Sequence, residues 1–296
     1  MQLFLQTFIN SLQNIAIYSM ATIGIVLILR TSITTNFAQG MMGTFAAFFA
    51  SNLVLYVNPR IPFWLAIAFG ALIAFCLGYA IDAGIIRQGR MVNPFGKQMI
   101  TMGLMMIFYA AIPPLFISIT TLTPNVPKFS FENINFSFLE QDLYITEHAF
   151  ICVITAVIGL SLLFAALKFT KWGISLRATA SGEIIAQMMG INTRFITGVT
   201  WGVAGAFVAI AGCSTAMSLN SGMMAQVQIF GFLACVLGGI SSFWAPIAGC
   251  VIIPLLMNYS AIVSSRWAAL ISFSVIMLII LIRPNGIFGK KFVKKV

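Results

Sequence analysis

Charge is what this sequence has least of. Asp, Glu, Lys and Arg together make up 7% of its 296 residues, and only six of them are acidic; ordinary soluble domains carry about 25%. So few charged side chains cannot cover a water-facing surface, which excludes a soluble globular protein and makes lipid the main solvent. Histidine is reduced to His148 alone, placed by the pattern at an external membrane boundary. A lone imidazole makes neither a metal centre nor a Ser/His triad, and it reads as a plain interfacial residue. No GxxxxGK[ST] loop occurs, so the chain does not cradle ATP phosphates in that way. The five cysteines (Cys76, Cys152, Cys213, Cys235 and Cys250) sit in apolar stretches without a CxxC pair and read as small buried hydrophobes. No cofactor or metal is expected. The first 29 residues carry no charge and lack the basic region of a secretory signal, so the first apolar run reads as a retained span.

What is present is long apolar runs. Residues 1–29, 31–59, 61–81, 98–127, 149–167 and 195–265 are free of charge, and about 20 apolar residues suffice to cross a bilayer as a helix. Spans are predicted at 12–29, 41–57, 62–86, 98–119, 148–168, 196–218, 222–240, 246–263 and 267–283. The expected fold class is an all-α polytopic membrane helix bundle of about eight to ten transmembrane helices. The piece at 222–240, bounded by Asn220-Ser221-Gly222 and by Gly238 to Pro246, can be broken or re-entrant. Small residues recur at helical spacing along 198–216 (Gly198, Gly202, Gly205, Ala206, Ala209, Gly212, Cys213 and Ala216), which permits close helix approach in lipid. No internal repeat is visible.

The net charge of +10 does not indicate nucleic acid, because the basic residues sit at the ends of apolar runs. With the C-terminus inside, only Arg60, Lys128 and Arg266 fall outside, leaving thirteen of the sixteen basic residues in the cytoplasm. The N-terminus is then external. The external loop 120–147 holds Glu132, Glu140, Asp142 and Glu147, and its alternating Phe129, Phe131, Ile134, Phe136 and Phe138 suggest a small ordered patch. The one acidic residue within a span, Asp82, is expected to pair with Arg87 or Arg90. Such scarcity argues against an ion-coupled pump, so energy for uphill transport must come from a partner.

The cytoplasmic segment 169–195 is the informative one. Ser181 is expected to cap a short amphipathic helix from about Gly182 to Met189, lying between two loops, with Glu183 in its first turn and Gly190 at its end. Such a helix fits either a partner ATPase or the lipid headgroups, and the residues alone leave both open. Here a family resemblance enters. Gly173-Ile174-Ser175-Leu176-Arg177-Ala178, then Ala186 and Gly190-Ile191-Asn192-Thr193, resemble the coupling segment of branched-chain amino acid ABC transporter permeases of the LivH type. Asn36-Phe37-Ala38-Gln39-Gly40, Val236-Leu237-Gly238-Gly239-Ile240 with Pro246 and Gly249, and Arg283-Pro284-Asn285-Gly286-Ile287-Phe288-Gly289 resemble three further motifs of that family, in the same order.

The resemblance implies a single permease domain over 1–296, in a bacterial plasma (inner) membrane. It implies a second related permease subunit, two cytoplasmic ABC ATPases and an extracytoplasmic solute-binding protein. Gly173, Arg177, Ala178, Glu183, Ala186, Gly190 and Ile191 would form the ATPase contact. Asn36, Phe37, Gln39, Gly40, Gly238 and Gly239 would bound the translocation path for a branched-chain or other small amino acid. The sequence departs from the family at Gln39-Gly40-Met41, where H-G-E is usual, and at Ser241-Ser242-Phe243-Trp244-Ala245, which is bulkier than the family's small-residue loop. A related permease for urea, an amide, a nucleoside or a sugar is the alternative, followed by a passive channel or scaffold; an intramembrane enzyme comes last for want of a catalytic constellation.

Overall fold

The computed structural model describes residues 2–57, 60–89, 93–116, 133–138, 141–215, 219–240 and 242–289. Among them are eleven helices and one hairpin. In chain order they are α1 (Gln2–Ser32), α2 (Gln39–Asn52), α3 (Phe63–Ile81), α4 (Pro94–Leu115), β1 (Asn133–Phe138), β2 (Gln141–Thr146), α5 (Glu147–Phe169), α6 (Lys171–Ser181), α7 (Glu183–Met188), α8 (Thr193–Cys213), α9 (Ala225–Gly238), α10 (Ala245–Val263) and α11 (Ala268–Ile282). Helices α2 and α3 each run on into a single π-helical turn, Leu53–Val57 and Asp82–Ile86.

Seven of these helices are long and apolar enough to cross a membrane; α9 and α11 are apolar but shorter. The nine predicted spans therefore exist as helices, with different ends. Helix α1 starts ten residues before its predicted span and has 31 residues, about 46 Å at 1.5 Å per residue. That exceeds a hydrocarbon core of about 30 Å, and the extra turns reach the hairpin, where Gln6 exchanges hydrogen bonds with the Tyr144 backbone (2.8 and 3.2 Å). Strands β1 and β2 pair antiparallel from Asn133↔Thr146 to Phe138↔Gln141, which supplies the ordered patch expected in 120–147. Residues 117–132 and 139–140, with Lys128, Glu132 and Glu140, lie outside the described residues, as do Arg90, Ala216 and the basic tail 290–296.

Helix α8 is the hub, packed against α1, α2 and α3. Its small residues let backbone meet backbone, as the spacing predicts. A Cβ on Gly212 would stand 2.6 Å from the Gly43 carbonyl of α2, and one on Gly205 would collide with the Ala74 carbonyl of α3. From α1 the approach is somewhat looser: a Cβ on Gly24 would stand 3.1 Å from the Ala204 carbonyl. Trp201, fully buried on the same helix, donates its indole N–H to Ser32 Oγ at 3.1 Å.

The contacts also reveal a symmetry that the sequence does not. Helix α1 is followed by a broken connection and a half-length α2, then by α3 and α4. Helix α8 is followed by a broken connection and a half-length α9, then by α10 and α11. The two sets run in opposite directions. A Cβ on Gly24 would meet both Gln39 Nε2 and the Ala204 carbonyl, and one on Gly43 would meet Val208, so α2 runs with α8. Gly231 meets Thr22 and Ile25, and Phe230 meets Tyr18, so α9 runs with α1. An inverted repeat of this kind is common in transporter bundles; it is carried by helix placement, which many sequences can satisfy.

Two substitutions test the hub. Gly205→Leu should lower thermal stability in detergent by the equivalent of about 1–3 kcal/mol or prevent folding, since the added side chain meets the Ala74 backbone, which cannot swing aside. Gly103→Ala, with nothing within 4 Å of the added carbon, should be neutral or raise stability by about 0.5–1 kcal/mol. Equal melting shifts for the two would show that α8 is not tightly held.

Candidate translocation and coupling sites

After Ser32 the chain turns back on itself. Ile33, exposed and with φ 51°, takes the left-handed region, which is costly for a β-branched residue by about 1–2 kcal/mol. The segment then descends to where Gln39 Nε2 donates to the Ala21 carbonyl at 2.9 Å. Helix α2 thus begins about 16 Å short of the end of α1, at membrane depth. Non-helical backbone there must have its polar groups satisfied by protein. Asn36 Oδ1 accepts from the Ala38 N–H (3.0 Å), Thr101 Oγ1 on α4 accepts from the Phe37 N–H (3.2 Å), and Gln228 Nε2 on α9 donates to the Asn36 carbonyl (3.2 Å).

Helix α9 also starts inside, at Ala225, just after Met224, whose carbonyl would stand 3.1 Å from a Cβ on Gly40. Two helix N-termini therefore converge at one depth from opposite directions, neither capped by a side chain. Beside them lies a cavity of about 480 Å³ lined by Phe37, Gly40, Met41, Met105, Met106, Tyr109, Gly222, Ala225, Gln228, Ile229 and Phe232. Its wall is nearly all apolar, with Gln228 and the Tyr109 hydroxyl as polar side chains. Helix N-termini favour an anion or carboxylate, and these two lie beside an apolar chamber.

Of the residues expected on the path, Phe37 and Gly40 line this cavity. Asn36 and Gln39 do not; both are fully buried and brace the bend from behind. Gln39 is turned toward α1, and its Oε1 has no partner. Gly238 and Gly239, expected at a second bend of the path, lie away from this cavity, at the end of α9. The Ile287 and Phe288 N–H groups donate to the Leu237 and Gly238 carbonyls (2.8 and 3.1 Å), and Gly239, at φ 108°, backs onto Gly289. Two of the motifs recognised in the sequence, 236–240 and 283–289, thus form one joint. Gln228 was missed by sequence reasoning, although an amide inside an otherwise apolar span is a usable signal.

The coupling segment also differs from expectation. Residues 171–181 form helix α6, where a loop was expected. Thr170 caps it, its Oγ1 accepting from the Gly173 N–H at 3.1 Å. Ser181 ends α6, donating to the Arg177 carbonyl (2.9 Å), and does not cap α7; Gly182 holds that position. Gly173 is buried against the Ala166–Leu167 backbone and Ala186 is buried in α7, so neither presents a surface. Arg177 is exposed and Ala178 half-buried. Gly190 closes α7 with φ 82°, its N–H on the Gln187 carbonyl and that of Ile191 on the Ala186 carbonyl. Around this turn Ile184, Ile185, Met188 and Met189 stand 62–76% exposed, a compact apolar face on the end of the protein that carries the basic residues.

That face is wired to the bundle. Glu183 accepts from Gln187 Nε2 (3.2 Å) and Thr193 Oγ1 (3.4 Å). From the first turns of α8, the Arg194 carbonyl accepts from Arg87 Nη2 (2.6 Å), and Thr197 Oγ1 donates to Asp82 Oδ2 (3.2 Å). Arg87 closes the network on Asp82 at 2.7 Å, the pairing expected from sequence. His148 is buried rather than interfacial, with Nε2 3.1 Å from the Ser214 carbonyl at the end of α8 and 3.5 Å from Cys152 Sγ.

The family model described as branched-chain amino acid transport system / permease component matches residues 7–281. The chain belongs to that permease family. It is 25% identical to the high-affinity branched-chain amino acid transport permease BraD of Pseudomonas aeruginosa and 26% identical to LivH of Escherichia coli, over 99% of this chain and 98% of each relative. A probable LivH of Methanocaldococcus jannaschii is 27% identical over 94% of this chain and 91% of its own length. Among solved structures, PsaBC from Streptococcus pneumoniae, in complex with Fab, superposes with TM-score 0.51 at 16% identity, covering 95% of the permease and 92% of that chain; at that identity the likeness speaks for the fold alone. The permease is thus a multi-pass membrane protein of a transport family.

The ion pair gives a direct test. Arg87→Gln leaves the buried Asp82 carboxylate without its counter-charge and should cost about 3 kcal/mol, read as a lowered melting temperature. Gln228→Leu strands the Asn36 carbonyl and should cost about 1–3 kcal/mol. Arg283→Gln, at an exposed site, is the control and should change little; if all three behave alike, neither network stabilises the bundle.

Proposed function

We propose that this permease forms half of the translocation path of an ABC importer for branched-chain or other small apolar amino acids, and is itself non-catalytic. The observation that carries the reading is the cavity at the convergence of α2 and α9. Its helix starts suit the carboxylate of an amino acid, and its Met, Ile and Phe walls suit an aliphatic side chain better than a sugar or urea. The relatives named for branched-chain amino acid transport support the same substrate class. On the α4 side Met106 and Tyr109 are exposed, which supports a second related permease subunit completing the path.

In this reading the end bearing α6 and α7 faces the cytoplasm of a bacterial cell and the hairpin faces outward, in line with the positive-inside rule. The apolar face of α7 and the exposed Arg177 dock on one of two partner ATPases. Gly173, Ala186 and Gly190 shape that surface from beneath, and Glu183, Thr193 and the Asp82–Arg87 pair pass its movement to α3 and α8. ATP shifts the permease pair between outward-open and inward-open states by binding one more tightly than the other. A solute-binding protein delivers the amino acid on the hairpin side.

Uptake of labelled leucine into proteoliposomes, reconstituted with the partner ATPases and binding protein, tests both halves. Ala225→Trp fills the cavity and should cut uptake at least tenfold while ATP hydrolysis persists. Arg177→Glu and Met189→Glu should abolish ATP-driven uptake and ATPase co-purification with the melting temperature unchanged. Undiminished uptake in Ala225→Trp removes the cavity from the path, and full coupling in the other two removes α7 as the docking face.

A further inference from the structure

The bulky stretch Ser242-Phe243-Trp244 has no part in the path or the coupling face. It opens α10 at the basic end of the bundle, beside the last turn of α1, where two spans end together. There it walls an open cleft of about 530 Å³ with Arg30, Ala245, Ala248 and Phe288. The Arg30 guanidinium lies 4.4 Å above the Phe243 ring. It is half-buried, and the described residues contain no carboxylate in ion-pair contact with it. Trp244 stacks flat on Phe164, centroids 3.5 Å apart and planes 10° from parallel, yet remains 63% exposed. Lys168 follows one helical turn beyond Phe164. Phe288 is exposed on the opposite lip.

We propose that this cleft is a binding site for the phosphate headgroup of an anionic phospholipid. The chemistry divides into two parts. A half-buried guanidinium with no counter-ion among the described residues is a cation waiting for an anion, and its planar fork matches phosphate oxygens. Ser242 Oγ accepts from the Trp244 N–H (3.3 Å), which leaves its own proton to donate to the same phosphate. The rest of the cleft is apolar: the Trp244 ring, of a residue type enriched at membrane interfaces, and Ala245, Ala248 and Phe288 give an acyl chain a bed leading from the headgroup. Basic pockets between spans at a membrane face bind lipid headgroups in this manner. A free phosphate shares the polar half of this chemistry and has no use for the apolar half; the second half selects lipid. The site does not depend on which solute the permease carries, and its failure would leave the proposed function untouched.

The test uses the full-length purified permease, delipidated and titrated with phosphatidylglycerol or phosphatidylcholine of identical acyl chains, with bound lipid counted by native mass spectrometry. Wild type should hold phosphatidylglycerol about tenfold more tightly than phosphatidylcholine, because both carry the phosphate but the choline cation of the second offsets its charge and is repelled by Arg30. Arg30→Gln should erase that preference, Arg30→Lys should keep part of it, and Ala248→Trp, which fills the cleft with Arg30 intact, should lose the bound lipid. Should Arg30→Gln not fold, the other two variants decide. Three results overturn the proposal: a preference that survives both Arg30→Gln and Ala248→Trp, displacement of phosphatidylglycerol by millimolar inorganic phosphate alone, or loss of the lipid once partner ATPases bind, which would make the cleft a protein interface.

Discussion

The structure depends on backbone meeting backbone along α8. Lipid tails are as apolar as the helices they surround, so burial of apolar side chains gives little reason for one helix to prefer another over lipid. What remains is close van der Waals contact, and only small residues allow it. Gly24 of α1, Gly43 of α2 and the Gly202–Gly205 stretch of α8 remove the side chains that would hold these helices apart. Their carbonyls and α-carbons then pack directly, which gives a rigid centre in a solvent that offers no hydrophobic drive.

A rigid centre makes the breaks permissible. The strand of chain between α1 and α2 carries peptide groups that lipid cannot solvate, and it survives because Thr101, Asn36 and Gln228 reach them. Those three side chains come from the bend itself, from α4 and from α9, so the bend exists only when the bundle is assembled. The same logic holds at the far end of α9, where the closing motif 283–289 takes up the carbonyls of Leu237 and Gly238. At the basic end, the network from Glu183 to Asp82 joins α7, α8 and the turn that follows α3.

Much of this was legible residue by residue, and the misses have physical causes. The spacing Gly198, Gly202, Gly205, Gly212 announced a packing face because i, i+3, i+4 and i+7 share one side of any helix. Asp82 announced a partner because a lone carboxylate in a span is too costly. Ser181 misled because a serine near a helix start is as good a signal for ending the helix before it; the capping was done by Thr170, eleven positions earlier, and the loop expected there was helix α6. Gly238 and Gly239 announced a close approach, but not that its partner would be the closing motif 283–289, because that pairing is remote in sequence. His148 gave no sign of its burial, because the Ser214 carbonyl beside it is remote in sequence.

By itself the sequence determined the solvent, the number and order of the apolar helices, the end that gathers positive charge and the family. These follow from composition and from local runs, since transfer into lipid is decided segment by segment. Only the tertiary structure decided at what depth α2 and α9 begin, that their starts face one another across a chamber, that the two halves are inverted copies in arrangement, and that Arg30 meets Phe243 at a cleft. Each of those rests on pairs such as Asn36 with Gln228, or Ala21 with Gln39, whose meeting depends on how whole helices slide and cross, and no local pattern encodes that.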